Sequence, residues 1–284
     1  MALVKSAAEW KDFYARERAS LGDAGLTQRL DRAPPVELRQ GEALVFPHTM
    51  LATTGHLTAA VARAVVRSGA DEVLALGVLH GAREQDQKRV KRARAGDPIA
   101  RGALRRVHAG EDAVCAEEFS LDGFAALLAL ESAREGKKPP RVITRYPFLV
   151  GDEVTRLPGL DDVMRLAERM PLVATTDPMH HGAGYGTPEH ARRPEHEETT
   201  PQYARFCIQT QLDLLLRAEW AAFQELATLV RSDFRDTGPV LAHALRRGPA
   251  LRGEILELHL VDYAEALEAE HPTWVAGPLM RIAA

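Results

Sequence analysis

The chain has 284 residues, of which 45% are hydrophobic and 27% charged, and its formal net charge at pH 7 is −4. This composition is typical of a globular protein, and the net negative charge argues against nucleic acid or anionic membranes as partners. No stretch approaches 18 uninterrupted apolar residues and the N-terminus lacks a signal-peptide pattern, so neither a membrane span nor secretion is predicted. Two cysteines are too few for a disulfide framework, and a cytoplasmic location is expected.

Along the chain, residues 1–40 are charged and broken by Pro34-Pro35, which predicts a peripheral N-terminal helical segment. Apolar runs then alternate with amphipathic stretches. Strands are predicted at 43–46, 72–79, 141–150 and 171–176, and helices at 57–67, 119–133 and 160–169. There follow a polar loop at 177–200, one long helix at 202–231, a short helix after Gly238-Pro239, and a strand pair at 254–262 and 274–282. This order predicts a single α/β domain over 41–284, with a mostly parallel central sheet flanked by helices.

Histidines stand at the ends of three predicted strands. His48 follows the first strand, His80 ends the second, and Asp177 and His180 follow the fourth. Ligands of open α/β sheets bind at the carboxyl ends of the strands, so these side chains are expected at one edge. Imidazoles grouped with a carboxylate are what a metal-dependent or general-base site requires. Six other histidines lack such placement and are expected to be structural or solvated: His108, His190, His196, His243, His259 and His271.

Substrate contacts are expected from residues near these strand ends. Residues 83–106 carry nine basic and three acidic side chains, which favours a solvated segment, but Arg83 at its start is a candidate for binding a carboxylate. His181 and Tyr185 lie in the loop after His180, and His56 follows the first strand; all three are candidate substrate-binding residues. No P-loop or GxGxxG pattern occurs, so nucleotide binding is not predicted.

Five segments, in the same order along the chain, resemble the MEMO family, whose fold is similar to the class III (LigB-type) extradiol dioxygenases. Phe-Pro-His-Thr-Met at 46–50 is similar to the family's Pro-His-Ala-Gly, and Leu-Gly-Val-Leu-His-Gly at 76–81 resembles Leu-Gly-Pro-Ser-His-His. Glu-Phe-Ser at 118–120 and Tyr-Pro-Phe-Leu-Val-Gly at 146–151 echo Glu-His-Ser and Pro-Val-Leu-Val-Gly. The most specific match is Thr-Thr-Asp-Pro-Met-His-His-Gly at 175–182, against Ser-Ser-Asp-Phe-Cys-His-Trp/Tyr-Gly.

The resemblance implies metal ligation by His48 and His80, with His180 opposite them as the catalytic acid/base and Asp177 behind it. Two positions depart from the family's pattern. The second His after the second strand is replaced by Gly81, and the His of Glu-His-Ser is replaced by Phe119.

The third metal ligand of the family, Cys in MEMO proteins and Glu in ring-cleaving relatives, comes from the segment before a Gly-Pro-like turn. Counting back from Pro239 puts Arg235 at that position, and arginine cannot ligate a metal. A shift of one residue offers Asp236, which is the expected ligand. Asp233 is the fallback, and a three-histidine site that includes His180 is the other alternative.

The resemblance implies a non-haem Fe(II)-dependent oxygenase that acts with O₂ on a small aromatic or aromatic amino-acid-like substrate. Fe(II) is the expected divalent metal, and Cu or Zn would also fit the histidines. Two alternatives stay open: a MEMO-like metal- or redox-binding protein without turnover of its own, and a zinc-dependent hydrolase. The oligomeric state is not indicated.

Overall fold

The described chain folds around one sheet with helices on both faces. The computed structural model describes residues 5–81, 84–193, 199–246, 250–270 and 272–284. Its strands are β1 Glu42–Phe46, β2 Glu72–Leu76, β3 Arg106–Ala109, β4 Arg141–Phe148, β5 Leu172–Thr175, β6 Met179–Gly182, β7 Arg252–Asp262 and β8 Thr273–Ala283. Its helices are α1 Ala7–Asp31, α2 Leu51–Ser68, α3 Glu84–Arg94, α4 Pro98–Leu104, α5 Asp122–Arg134, α6 Leu160–Ala167, α7 Thr199–Leu216, α8 Trp220–Leu229 and α9 Phe234–Leu245.

The strand order confirms the predicted α/β fold. The sheet runs β3-β4-β2-β5-β1-β8-β6, and β7 pairs with β8. The central strands are parallel: β4 pairs with β2, β2 with β5 and β5 with β1, each in the parallel direction. The pairs β3–β4, β1–β8, β6–β8 and β7–β8 are antiparallel. The carboxyl ends of β1, β2 and β5 therefore meet at one edge of the sheet.

Successive residues of the central strands face opposite hydrophobic cores. Leu44 and Phe46 of β1 pack into the core beneath α1, α2 and α5. Ala43 and Val45 pack into the core formed with α6, α7, α8 and α9. A strand buried on both faces needs a continuous apolar run, which explains why β1, β2 and β5 read as such in the sequence.

The prediction of one long helix at 202–231 is wrong, because the helical conformation is interrupted between α7 and α8. Ala218 has a φ of 59°, in the left-handed region. The Ala218 amide donates to Leu215 O and the Glu219 amide to Leu214 O, the hydrogen-bond pattern that ends a helix. This position usually carries glycine, so the alanine gave no stop signal in the sequence.

Helix α9 begins earlier than the predicted short helix and contains Pro239. A proline within a helix removes the hydrogen bond to the carbonyl four residues before it, here that of Arg235. The Gln224 side chain of α8 donates to Arg235 O at 2.7 Å and satisfies this carbonyl. Within the described ranges, no helix combines the length and apolarity needed to cross a membrane.

Candidate metal centre

Three histidines meet at the carboxyl edge of the sheet. His48 lies two residues after β1, His80 four residues after β2, and His180 in β6. The His48 and His80 Nε2 atoms are 3.2 Å apart. Strand β2 ends at Leu76 rather than at the predicted residue 79. Ser120 holds the following segment in place, because it accepts from the Val78 amide and donates to Val78 O.

The carboxylate of Asp233 lies next to all three of these histidines. Its Oδ2 lies 3.4 Å from His48 Nε2, 3.5 Å from His80 Nε2 and 3.7 Å from His180 Nε2. His48, His80 and Asp233 form a group that could hold a metal ion, as do Asp177, His180 and Asp233.

The placement of Asp236 corrects the sequence-based choice of the third ligand. Its Oδ1 accepts a hydrogen bond from the Val150 amide at 2.9 Å, and its Oδ2 lies 3.7 Å from Arg235 Nε. Among the residues that the structure describes, Asp236 belongs to no potential metal-binding group. The fallback residue, Asp233, lies with the histidines instead.

The connection between α8 and α9 delivers Asp233 to the site. The His180 amide donates to Val230 O, and the Asp233 amide donates to Asp177 O at 3.1 Å. Arg231 between them has a φ of 53°, and its guanidinium donates to Gly186 O. A non-glycine residue in the left-handed region costs of order 1 kcal/mol, and the surrounding hydrogen bonds hold it there.

Each of the three histidines donates from Nδ1 to a fixed oxygen. The carboxylate of Glu118 and the carbonyl of Arg231 can only accept, so they receive the Nδ1 hydrogens of His80 and His180. The Thr175 hydroxyl donates to Phe46 O and therefore accepts from His48 Nδ1. The Nε2 atom of every ring is thus the one presented to Asp233, as metal ligation by neutral imidazole requires.

Buried charge makes this edge suitable for a cation. Burial raises the pKa of Asp233, but the surrounding imidazoles outweigh it and hold the pKa well below its usual range. Burial lowers the pKa of His80, yet Glu118 and Asp233 together raise it to about 10. A proton on His80 therefore balances part of the buried negative charge, and a divalent cation can replace that proton.

The spacing of the donor atoms is compatible with one shared metal ion. Ligands about 2.1 Å from a metal and at right angles to each other lie roughly 3 Å apart. The separations among the His48, His80 and Asp233 donors, 3.2 to 3.5 Å, are close to that value. His48, His80 and Asp233 would therefore be the residues that hold a metal at this edge, through two imidazoles and one carboxylate.

Asp177 supports His48 rather than orienting His180. Its Oδ1 accepts from the His48 amide at 3.2 Å, and its Oδ2 lies 3.5 Å from His48 Nε2. The ring of His180 is oriented by Arg231 O, at 2.7 Å. Burial raises the pKa of Asp177 despite the nearby histidines.

A cleft of about 280 Å³ opens over the histidines. Phe119 stacks on the His80 ring with 4.6 Å between ring centroids, and Tyr185 meets the His180 ring edge-on at 4.8 Å. Two further walls come from α1 and from the α8–α9 connection together with the first turn of α9. They comprise Trp10, Tyr14, Arg231 and Arg235.

The predicted substrate-binding residues separate in the structure. Tyr185 lines the cleft. His181 alternates with His180 along β6, faces the other side, and accepts a hydrogen bond from the Arg193 amide. His56 lies on α2, outside the cleft, next to Glu257. Arg83 lies outside the described residues.

Trp10, Tyr14 and Glu118 belong to the site but were not predicted from the sequence. Glu118 could have been found, because it opens the Glu-Phe-Ser segment that echoes the MEMO family. Trp10 and Tyr14 carry no comparable signal, since they lie in the charged N-terminal segment that was expected to be peripheral.

Gly81 lies against the start of α1. A Cβ atom at this position would lie 2.0 Å from the Cβ of Ala7, at the start of α1. A histidine at position 81 is therefore incompatible with α1 where it stands. The N-terminal helix occupies the space in which such a side chain would lie.

The groups of histidine and carboxylate side chains could hold a metal ion. Comparison of the chain with protein-family models and with curated proteins finds no match.

Proposed function

We propose that this chain is a non-haem Fe(II)-dependent oxygenase, related to the extradiol dioxygenases and the MEMO family, that acts with O₂ on a small aromatic substrate. The observation that carries the proposal is the convergence of His48 Nε2, His80 Nε2 and Asp233 Oδ2 within 3.5 Å of one another. Two histidines and one carboxylate on one face of a metal, with the other face open, are typical of non-haem Fe(II) oxygenases.

His48, His80 and Asp233 would hold the metal. When bound, Fe(II) would supply the redox chemistry by which dioxygen reacts with an electron-rich ring. Glu118 and Thr175 would keep the two ligating rings in orientation through their Nδ1 atoms. The carboxylate of Asp233 would give the site an anionic ligand, which two imidazoles alone do not supply.

His180 is the proposed proton carrier. Its Nε2 faces the cleft while Arg231 O accepts from Nδ1, so the ring is held in the tautomer that can take a proton from a substrate hydroxyl. In the proposed reaction the ring C–C bond beside two hydroxyl-bearing carbons breaks, and both atoms of O₂ enter the product. His180 removes one hydroxyl proton and returns it to the opened product.

The cleft favours a single aromatic ring. Its volume of about 280 Å³ is near the lower limit for small-molecule sites. Phe119, Tyr185, Trp10 and Tyr14 give it aromatic walls. An aromatic amino-acid-like or carboxylated ring is the proposed form of the substrate, because Arg231 and Arg235 also line the cleft.

The test is O₂ uptake by protein reconstituted anaerobically with Fe(II), using a panel of catechols. Uptake that depends on a catechol, with the absorbance of a ring-opened product, is expected for the wild type. His180→Gln should reduce the rate by about 10² or more while iron content is retained. His181→Gln is the matched control, since its neighbouring ring faces away from the cleft. Fe(II) binding without catechol-dependent uptake would contradict the proposal.

Zinc-dependent hydrolysis is the second candidate, because zinc accepts the same two histidines and one carboxylate and activates water at its open position. Hydrolysis of an ester or amide panel under argon by Zn-loaded protein would favour it. A binding role without turnover would be favoured by a missing third metal donor, because Arg235 cannot ligate a metal. We propose Asp233 as that donor, which favours a site with turnover.

A further inference from the structure

A second group of potential metal ligands lies outside the cleft. It consists of His56 on α2 and of Glu257 and His259 on β7. None of the three lines the cleft over His48 and His80. The proposed oxygenase reaction leaves all three without a role, although His56 was a candidate substrate residue and His259 was expected to be structural or solvated.

The fold brings these three side chains to one point. Glu257 and His259 are two residues apart on β7, so they project from the same face of the strand. The pairing of β7 with β8 is irregular between Ile255 and Glu257, and α2 packs against this part of the sheet. The first turns of α2 thereby place His56 beside the two strand residues.

A single carboxylate oxygen lies between the two imidazoles. Glu257 Oε1 is 3.0 Å from His56 Nε2 and 2.7 Å from His259 Nε2. The rings are nearly perpendicular, at 87°, with 4.9 Å between centroids. The three donor atoms all lie within 4.8 Å of one another, so one ion could contact all of them.

The exposure of the group suits a bound ion. The side chain of His56 is 16% exposed, that of Glu257 35% and that of His259 37%. A metal can therefore reach the group directly from solvent and complete its coordination with water. Two imidazoles and one carboxylate form a donor set that binds zinc in preference to calcium or magnesium.

We propose that His56, Glu257 and His259 form a second divalent-metal site, selective for zinc-like ions and independent of the cleft. The site joins the beginning of α2 to β7. Because α2 starts three residues after His48, a metal here would hold the helix that follows the cleft histidine against the outer strand of the sheet.

The experiment counts metal ions, with Zn²⁺ and Co²⁺ as the probes. Isothermal titration gives the stoichiometry, and Co²⁺ absorption between the ultraviolet and red reports the coordination geometry of each site. The variants are His259→Gln and Glu257→Gln for the second site, Asp233→Asn for the cleft, and His243→Gln as a matched control with a half-buried histidine on α9. Circular dichroism checks that each variant is folded.

The wild type and His243→Gln should bind two ions. His259→Gln and Glu257→Gln should each lose one, with at least a hundredfold loss of affinity at that site, while Asp233→Asn keeps it. A binding event that disappears in His259→Gln supports the inference whatever the cleft binds. Unchanged stoichiometry and unchanged affinities in both His259→Gln and Glu257→Gln would overturn it and leave the proposed oxygenase site unaffected.

Discussion

The three cleft histidines share one arrangement of hydrogen bonds. In each ring Nδ1 faces an oxygen supplied by Thr175, Glu118 or Arg231, and Nε2 faces Asp233. Glu118 is the most strongly held of these partners, because its Oε1 also accepts from the Phe119 and Ser120 amides. The residues behind the rings therefore decide which nitrogen a metal would meet.

Glu118→Gln tests this role of the residues behind the rings. Burial raises the pKa of Glu118, but His80 and the amide donors outweigh it and keep the carboxylate ionised. The amide of glutamine retains the shape and loses the charge, so we expect metal affinity to fall by about 10- to 100-fold with all ligands in place. Anaerobic Fe(II) titration measures it. Glu117→Gln, next in the chain, is the control, and equal affinities in the two variants would contradict the prediction.

The sequence alone does not distinguish Asp233 from Asp236 as the carboxylate that lies near the histidines. Both precede Gly238-Pro239 and carry the same functional group. Their positions are fixed by tertiary hydrogen bonds, from the Asp233 amide to Asp177 O and from the Val150 amide to the Asp236 carboxylate. Neither bond leaves a local pattern in the sequence, whereas His48 and His80 could be found because each comes within four residues of the end of a buried strand.

At the scale of elements, α1 is part of the cleft. Its first turns contribute Trp10 and Tyr14 to the cleft wall, and the Tyr14 hydroxyl is hydrogen-bonded to that of Tyr263 at 2.8 Å. Gly81 permits the close approach of the start of α1 to the segment that carries His80. A displacement of α1 should therefore also change the edge of the sheet that carries His80.

Gly81→Ala should loosen the start of α1. The added methyl group would meet the Ala7 Cβ at 2.0 Å, and relieving this overlap should cost about 1–3 kcal/mol of unfolding free energy. Urea unfolding measures the loss, and the fluorescence of Trp10 should change as its surroundings open. Gly102→Ala is the control, because a methyl group there meets nothing within 4 Å. An unchanged unfolding midpoint in Gly81→Ala would show that α1 does not dock as described.

Helices and strands with a regular pattern of apolar residues were predictable from the sequence. Features that depend on an unusual turn conformation or on pairing with a distant strand were not. The buried runs of β1, β2 and β5 were recognisable because both of their faces are covered. Strand β6 was missed because Met-His-His-Gly has no strand pattern, and its pairing with β8 makes it a strand. The break at Ala218 was missed because its left-handed conformation comes from a residue that rarely adopts it.

At the scale of the whole molecule, the candidate metal ligands lie on a hydrophobic core that they do not help to form. Two hydrophobic clusters fill the space on either side of the sheet. The candidate ligands lie at the edge above both clusters, in loops and strand ends. Folding should therefore not depend on metal, in contrast to small domains in which a structural ion replaces the core.

Chelation should lower the melting temperature without unfolding the protein. Each ion present at 100 times its dissociation constant stabilises the native state by about 2.7 kcal/mol, which corresponds to roughly 5 °C per ion for a domain of this size. Calorimetry with and without a chelator measures the difference. The double variant Asp233→Asn/His259→Gln should show no shift. Loss of the cooperative transition on chelation would mean that the metal is part of the fold.

The central claim is that Asp233, with His48 and His80, binds the metal, and the most direct test compares Asp233→Asn with Asp236→Asn. Both changes remove one carboxylate charge within one helical turn of each other, and asparagine at 236 keeps the acceptor for the Val150 amide. The measurement is the Fe(II) dissociation constant under anaerobic conditions, in the His259→Gln background so that only the cleft is counted. The account predicts a loss of about 100-fold or more for Asp233→Asn and nearly unchanged binding for Asp236→Asn. Equal binding by Asp233→Asn and the parent, or a loss confined to Asp236→Asn, would contradict it.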